Sequence, residues 1–210
     1  DVVVGGGAIG QSLCEHQDIN AVSFTGSVGV GRKVALSAVS HFAEVSLELG
    51  GKNPVILNDS LNISSALDQI TAAGFAVCGQ RCTAISRVIV HKDLEDQVIK
   101  GLAKRTNAIT PSDGTKEDAQ MGPLSSENQL NDVSGFVNRA ITEGAKVAAG
   151  GMKIKSDTGG YFYSPTILSG VTRNMEIARD EVFGPVMVVM SYSEMEEALS
   201  IANDVSFGLS

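Results

Sequence analysis

A cysteine in a short glycine-bearing loop has the widest chemical reach in this chain. The stretch Cys78-Gly-Gln-Arg-Cys82-Thr-Ala84 follows an apolar run, Ile70 to Val77, of the kind that forms a buried helix. Cys82 reads as a nucleophile. A thiol attacks as its thiolate, and an unperturbed cysteine has a pKa of about 8.5, so a nearby positive charge, helix N-terminus or base is needed. Arg81, next in sequence, can supply the charge. The alternative for any free cysteine is a place in the core, and Cys14 and Cys78 read that way. A second candidate is Glu48, at the end of a strand in Glu48-Leu-Gly-Gly-Lys52-Asn-Pro54. It reads either as a general base or as an exposed strand-end acid. The third is Thr25-Gly-Ser27-Val-Gly-Val-Gly31, between a strand and a helix start. Free N–H groups and the helix dipole make such a turn an anion site. The same residues also describe an ordinary turn with Ser27 as N-cap.

These groups need a scaffold, and the hydrophobic pattern supplies one. Short apolar runs at Val2 to Val4, Ala21 to Phe24, Val45 to Leu49, Val55 to Leu57, Ser86 to Val90, Lys146 to Ala149 and Val186 to Met190 read as strands. Helical spacing predicts helices over Arg32 to Val39, Ile63 to Ala76, Leu94 to Leu102, Ser125 to Glu143 and Glu194 to Asn203. The fourth of these opens on a weak Ser125-x-x-Asn128 capping box. Asn107 to Pro123 reads as loop, Tyr161 to Leu168 as extended chain around Pro165, and Glu181 to Pro185 as a turn. Strands alternating with helices predict an α/β fold with a mostly parallel sheet flanked by helices. The Gly50-Gly51 pair marks a boundary between residues 1–49 and 50–210. Gly5-Gly-Gly7-Ala-Ile-Gly10 matches the G-x-G-x-x-G dinucleotide fingerprint. No acidic residue ends a second strand about 20 residues on, so the match reads as a glycine-rich turn inside a nucleotide-binding domain.

Composition narrows the function. The 210 residues are 43% hydrophobic, enough for a full core, and carry 16 basic and 24 acidic side chains, a net charge of −8. That balance argues against nucleic acid and anionic membranes as partners, because phosphate binding needs clustered Lys and Arg. Three cysteines without metal-ligand spacing predict a reducing, cytoplasmic compartment. His16, His41 and His91 are scattered, and no metal site is expected. The chain opens on Asp1 and stops at Phe207-Gly-Leu-Ser210. These ends are expected to be those of a piece of a longer protein.

Taken together the motifs resemble a family. Phe24-Thr-Gly-Ser27 with Gly31, Leu47-Glu-Leu-Gly-Gly-Lys-Asn-Pro54, Gly79-Gln-Arg-Cys-Thr83 and Glu181-Val-Phe-Gly-Pro185 resemble, in that order, the signatures of the NAD(P)-dependent aldehyde dehydrogenase superfamily. The 34 residues from Glu48 to Cys82 match its spacing. Gln120 to Leu124 and Asn203 to Ser210 are lesser matches. The resemblance implies an aldehyde dehydrogenase-like fold with part of a Rossmann-like cofactor domain in residues 1–49 and a catalytic thiol domain in 50–210. It implies NAD or NADP as cofactor and a small-molecule aldehyde as substrate, in a protein that is a homo-oligomer at full length.

The resemblance also implies roles. Cys82 would attack the aldehyde carbon, forming a thiohemiacetal that collapses to a thioester, with its own N–H in the oxyanion hole. Glu48 would activate the hydrolytic water. Gly26, Ser27 and Gly31 would meet the pyrophosphate, Leu49 and Gly50 would lie against the cofactor, Glu181 would bond the nicotinamide ribose, and Phe183 would pack near the nicotinamide. Arginine just before the nucleophile resembles the subgroup that oxidises semialdehydes of carboxylic acids, such as 2-oxoglutarate semialdehyde. Arg81 would then hold a carboxylate, or else form a structural ion pair. Val28 departs from the family's usual threonine. The family's oxyanion-hole asparagine, its ribose-binding lysine and its oligomerisation strand have no counterpart here. The 210 residues alone are therefore expected to show little dehydrogenase activity. A cofactor-independent thiol esterase and an inactive fragment are the competing classes.

Overall fold

The alternation of apolar strands and amphipathic helices is realised as two compact units, Asp1–Gly50 and Gly51–Ser210. The computed structural model describes residues 1–58, 62–154 and 159–209.

The first unit runs α1 (Gly7–Glu15), β1 (Ala21–Thr25), α2 (Val28–Val39) and β2 (Glu44–Glu48). β1 and β2 pair in parallel, from Ala21 opposite Glu44 to Thr25 opposite Glu48. Gly26 and Ser27 turn the chain from β1 into α2. The Ser27 backbone is extended and its Oγ accepts from the Val30 N–H. Gly31 is buried on the inner face of α2. A Cβ there would stand 2.5 Å from Leu49 Cδ2, so with glycine the helix lies against the Leu49 side chain without displacing it.

Two expectations fail in this unit. Val2 to Val4 form no strand and are exposed. A three-residue run becomes a strand only if a neighbour takes up its N–H and C=O groups, and no strand pairs with it among the described residues. The glycine-rich match is not one turn either, since α1 begins at Gly7 and encloses Gly10.

The second unit contains β3 (Asn53–Leu57), α3 (Ile63–Phe75), β4 (Ile85–His91), α4 (Glu95–Ala108), α5 (Glu127–Thr142), β5 (Lys146–Ala149), β6 (Lys153–Ile154), β7 (Phe162–Tyr163), β8 (Thr166–Ser169), α6 (Glu176–Arg179), β9 (Val186–Tyr192) and α7 (Met195–Asn203). Its main sheet has the order β3-β4-β9-β8-β5. Three pairings are parallel, and β5 runs antiparallel to β8. The sheet is thus mostly parallel, as expected. Val88, Ile89 and Val90 of β4 and Val186 to Met190 of β9 are buried at its centre, as continuous apolar runs are when both faces are covered. α3 lays Leu67, Ile70, Gly74 and Phe75 inward. At Gly74 a Cβ would meet Met187 Sδ at 2.3 Å, so the helix rests its backbone on β9.

Helix ends shift for local reasons. α4 runs on to Ala108 because Val98, Leu102 and Thr106, four apart, share one buried stripe. Its Arg105 pairs with Asp68 of α3 at 2.6 Å. α5 is capped by Ser126, not Ser125: the Ser126 Oγ accepts from the Gln129 N–H.

Beyond α3 the backbone turns left-handed at three successive residues, Val77 (φ 52°), Cys78 (φ 59°) and Gly79 (φ 66°). Only Gly79 adopts this region freely; for a β-branched residue it is strained. Val77 is 66% exposed, so its side chain returns little packing for that strain. Val77→Asn should therefore stabilise the protein by about 1 kcal/mol. That corresponds to about 2–4 °C in the melting midpoint, read by circular dichroism. An unchanged or lower midpoint would mean that Val77 makes contacts worth more than the strain.

Candidate active site

Parallel pairing puts the starts of neighbouring strands on one edge of a sheet, and in the second unit three loops meet there. Gly51-Lys52 leads into β3, the Cys82 loop into β4, and Glu181 to Pro185 into β9. Asn53 stands opposite Ile85, and Arg87 opposite Val188.

Backbone meets backbone where these loops touch. A Cβ on Gly51 would lie 2.6 Å from the Cys82 carbonyl oxygen, and one on Gly79 would lie 2.2 Å from the Gly184 carbonyl oxygen. The Gly51 N–H donates to Glu181 Oε1 at 3.0 Å. Asn53 Nδ2 donates to the carbonyls of Cys82 and Ala84 at 2.6 and 2.9 Å. Cys82 itself is half-buried in a turn closed by the Ala84 N–H on the Arg81 carbonyl, 3.0 Å. Arg81, Gly51, Gly79, Glu181 and Phe183 line one small cleft of about 20 Å³, room for roughly one water. Arg81 is exposed, and among the described residues its guanidinium has no ion pair.

Phe183 is also left-handed, at φ 49°. Gln129 Nε2 holds its turn by donating to the carbonyls of Val182 and Phe183 at 3.1 and 3.0 Å. The Gln80 Oε1 accepts from the Ser125 N–H at 3.0 Å, tying the Cys82 loop to the approach of α5.

Behind the loops lie two buried cations. Arg87 is 1% exposed, and its guanidinium donates to the carbonyls of Lys52, Ile201 and Ala202 at 2.9, 2.8 and 2.7 Å. It thereby caps the C-terminal end of α7, where a cation suits the helix dipole. Burial lowers its pKa to about 10, opposed by Asp204, so it stays charged at neutral pH. Lys52 is 2% exposed, and its pKa falls to about 7. Burial is the main cause, with Arg87 adding to it and Asp180 and Glu181 opposing. Cys78 is buried and its thiol is pushed up to about 12, an inert core cysteine as expected.

The first unit carries the other candidates. Ser27 is exposed at the start of α2, and the N–H groups of Val28 and Gly29, in the first turn, remain open to an anion. The Gly26 N–H donates to the Glu48 carbonyl at 3.0 Å, joining the ends of β1 and β2. The Glu48 side chain is exposed. Leu49 packs on Gly31, and Gly50 follows it. Gly7, Gly10, Gln11, Phe24, Val30 and Lys33 help to line an open groove of about 800 Å³ between α1 and α2. No group of three metal-ligating side chains occurs among the described residues, and none of their helices is long and apolar enough to cross a membrane.

Sequence reasoning missed Lys52, Asn53, Arg87 and Gln129. For Arg87 the signal was present: an arginine inside a continuous apolar strand is buried only with partners. For Asn53 and Gln129 it was not, since their partners lie 29 and 53 or more residues away.

Fold and loops define an α/β protein that presents a half-buried thiol at the amino edge of a parallel sheet. Residues 1–210 match the Aldehyde dehydrogenase family, and the chain belongs to it. It is 42% identical over 98% of its length to an alpha-ketoglutaric semialdehyde dehydrogenase of Bacillus subtilis, and 40% identical over its whole length to a betaine aldehyde dehydrogenase of Brucella anthropi. It spans 42% and 43% of those relatives' lengths. Among solved structures it resembles a betaine aldehyde dehydrogenase of Staphylococcus aureus in complex with NAD+, with TM-score 0.94 and 33% identity over 98% of this chain and 41% of that one. A mutant aldehyde dehydrogenase of Pseudomonas syringae, complexed with NAD+ and octanal, also matches with TM-score 0.94, at 35% identity over 98% of this chain and 43% of that one.

The buried Lys52 makes stability depend on pH. Its folded pKa of about 7 lies below the ordinary 10.5. Between those values the unfolded chain holds a proton that the folded chain has released, so stability rises with pH. The slope reaches at most about 1.4 kcal/mol per pH unit. Urea midpoints should therefore rise from pH 7 to 9, and Lys52→Met should remove that rise. Above pH 9 the raised thiol of Cys78 and phenol of Tyr163, both at about 12, act in the opposite direction in both proteins. Parallel pH profiles for the two proteins would show that Lys52 is not the source.

Proposed function

We propose that this chain carries the thiol site of an NAD(P)-dependent aldehyde dehydrogenase. The observation that carries the reading is the Cys82 loop, held half-exposed beside Gly51 and Glu181 in a member of that family. The Cys82 sulfur adds to the aldehyde carbon, and the backbone N–H of Cys82 donates to the oxyanion so formed. Loss of hydride from that carbon leaves a thioester on Cys82. Glu48 takes a proton from water, which hydrolyses the thioester to the carboxylic acid and frees the thiol. The Glu48 role rests on the family resemblance and its spacing to Cys82.

The residues present suit a dinucleotide. Gly26, Ser27 and the open first turn of α2 suit its pyrophosphate. The groove between α1 and α2 has the volume and the mixed lining a nucleoside needs. Leu49 and Gly50 pass beside the cofactor, Glu181 offers its carboxylate to ribose hydroxyls, and Phe183 offers its ring. When bound, the oxidised nicotinamide supplies the hydride acceptor. Since Glu181 Oε1 already accepts from Gly51, ribose binding either shares or displaces that bond.

The favoured substrate is a semialdehyde bearing a carboxylate. Arg81 is exposed beside the cleft and has no ion pair among the described residues, and a carboxylate is the natural bidentate partner for a guanidinium. One relative is an alpha-ketoglutaric semialdehyde dehydrogenase. Betaine aldehyde, named for the other, is a cation that Arg81 would repel. The whole protein is read as a cytoplasmic homo-oligomer, in keeping with three free cysteines.

In the whole protein, supplied with NAD+ and 2-oxoglutarate semialdehyde, Cys82→Ala should abolish NADH formation, followed at 340 nm. Glu48→Gln should give a single burst and stop with the enzyme acylated. Undiminished steady turnover in either variant removes that residue from the mechanism. Arg81→Ala should raise the Michaelis constant for the semialdehyde about 10- to 100-fold, with kcat little changed. An unchanged constant would return Arg81 to the surface.

A further inference from the structure

We propose that Asn53 is a positioning residue for the nucleophile: its side-chain amide fixes the Cys82 peptide, and with it the placement of sulfur and N–H about the attacked carbonyl. This rests on the reading of Cys82 as nucleophile. Asn53 is 4% exposed, at the first position of β3. Both of its Nδ2 bonds go to the nucleophile loop, to Cys82 O at 2.6 Å and Ala84 O at 2.9 Å. Its Oδ1 is buried and takes no hydrogen bond among the described residues. That oxygen lies 2.8 Å from the place a Cβ on Gly51 would occupy, so it abuts the Gly51 backbone.

The arrangement is unusual in cost and direction. A buried amide oxygen left without a partner is destabilising, because it has lost its water. Asn53 carries that cost while its donor end serves two carbonyls that the turn cannot satisfy itself. The carbonyl of Cys82 belongs to the peptide that follows the reactive residue, so holding it fixes ψ at Cys82. The Asn53 backbone is itself secured. Its neighbour Lys52 gives its carbonyl to Arg87 at 2.9 Å, and Asn53 pairs with Ile85 across the ladder. The nucleophile is thus referenced to the β3-β4 ladder through one side chain.

Positioning is separable from folding by comparing two reactions of the same thiol. Acylation by p-nitrophenyl acetate needs sulfur and oxyanion donor correctly placed around a carbonyl. Alkylation by iodoacetamide needs only a reachable thiolate. In Asn53→Leu, p-nitrophenolate release should slow at least tenfold, while alkylation of Cys82, read by peptide mass, stays within threefold of wild type. The Michaelis constant for NAD+ should stay within twofold as kcat falls. Asn53→Asp keeps the shape and, when protonated, one donor, so its loss should be smaller than that of the leucine variant. Ester rates within threefold of wild type in both variants overturn the proposal. So does an equal fall in ester and alkylation rates, which would mark a purely structural role. A wild-type ester reaction that survives Cys82→Ala would instead bring down the nucleophile reading itself, and the positioning role with it.

Discussion

Two backbone contacts with no room for a side chain hold the second unit's site together. Gly51 lies against the Cys82 carbonyl, and Gly79 lies against the Gly184 carbonyl. Each joins the loop ahead of one strand to the loop ahead of its neighbour. Any Cβ at these positions would enter an oxygen's van der Waals shell, and backbone oxygens cannot swing away as side-chain ends do. The Gly51–Glu181 hydrogen bond and the double donation of Asn53 depend on that close approach. The left-handed residues at 77, 78 and 183 follow from it, because turns this tight leave the usual backbone regions.

The site lies at the amino edge of the parallel strands. In open α/β sheets ligands more often gather at the carboxyl ends, where following helices present their positive N-termini. Here the Cys82 loop follows the C-terminal end of α3, the negative end of that helix. The first unit uses the opposite arrangement, with β1 ending at Gly26-Ser27 and the N-terminus of α2. One chain thus offers a helix start suited to phosphate and a loop cluster suited to a reacting carbon.

Charge is distributed against the net balance. An acidic chain keeps two cations, Arg87 and Lys52, buried under the loops. Arg87 is accommodated by three carbonyls and stays charged. Lys52 has less compensation, and its ammonium is destabilised to near-neutral pKa. Arg87 adds to that destabilisation, and the carboxylates of Asp180 and Glu181 partly offset it.

The sequence by itself determined the alternation of elements, the parallel sheet, the inert Cys78 and the family. Each depends on local periodicity, burial tendency or motifs spaced along the chain. It also presented the Cys82 loop and the Ser27 turn as chemical candidates, since glycines and a helix start are local features. Tertiary structure alone decided what those residues touch. Val2 to Val4 looked like a strand but found no partner among the described residues, because a strand is defined by its neighbour. The cap of α5 moved by one residue to whichever serine met the Gln129 N–H. Asn53 and Gln129 gained their roles from carbonyls far along the chain, those of Asn53 brought near by the parallel pairing of β3 and β4, those of Gln129 by the packing of α5. Hydrogen-bond partners across that distance leave no trace in spacing, since the fold and not the chain sets their separation.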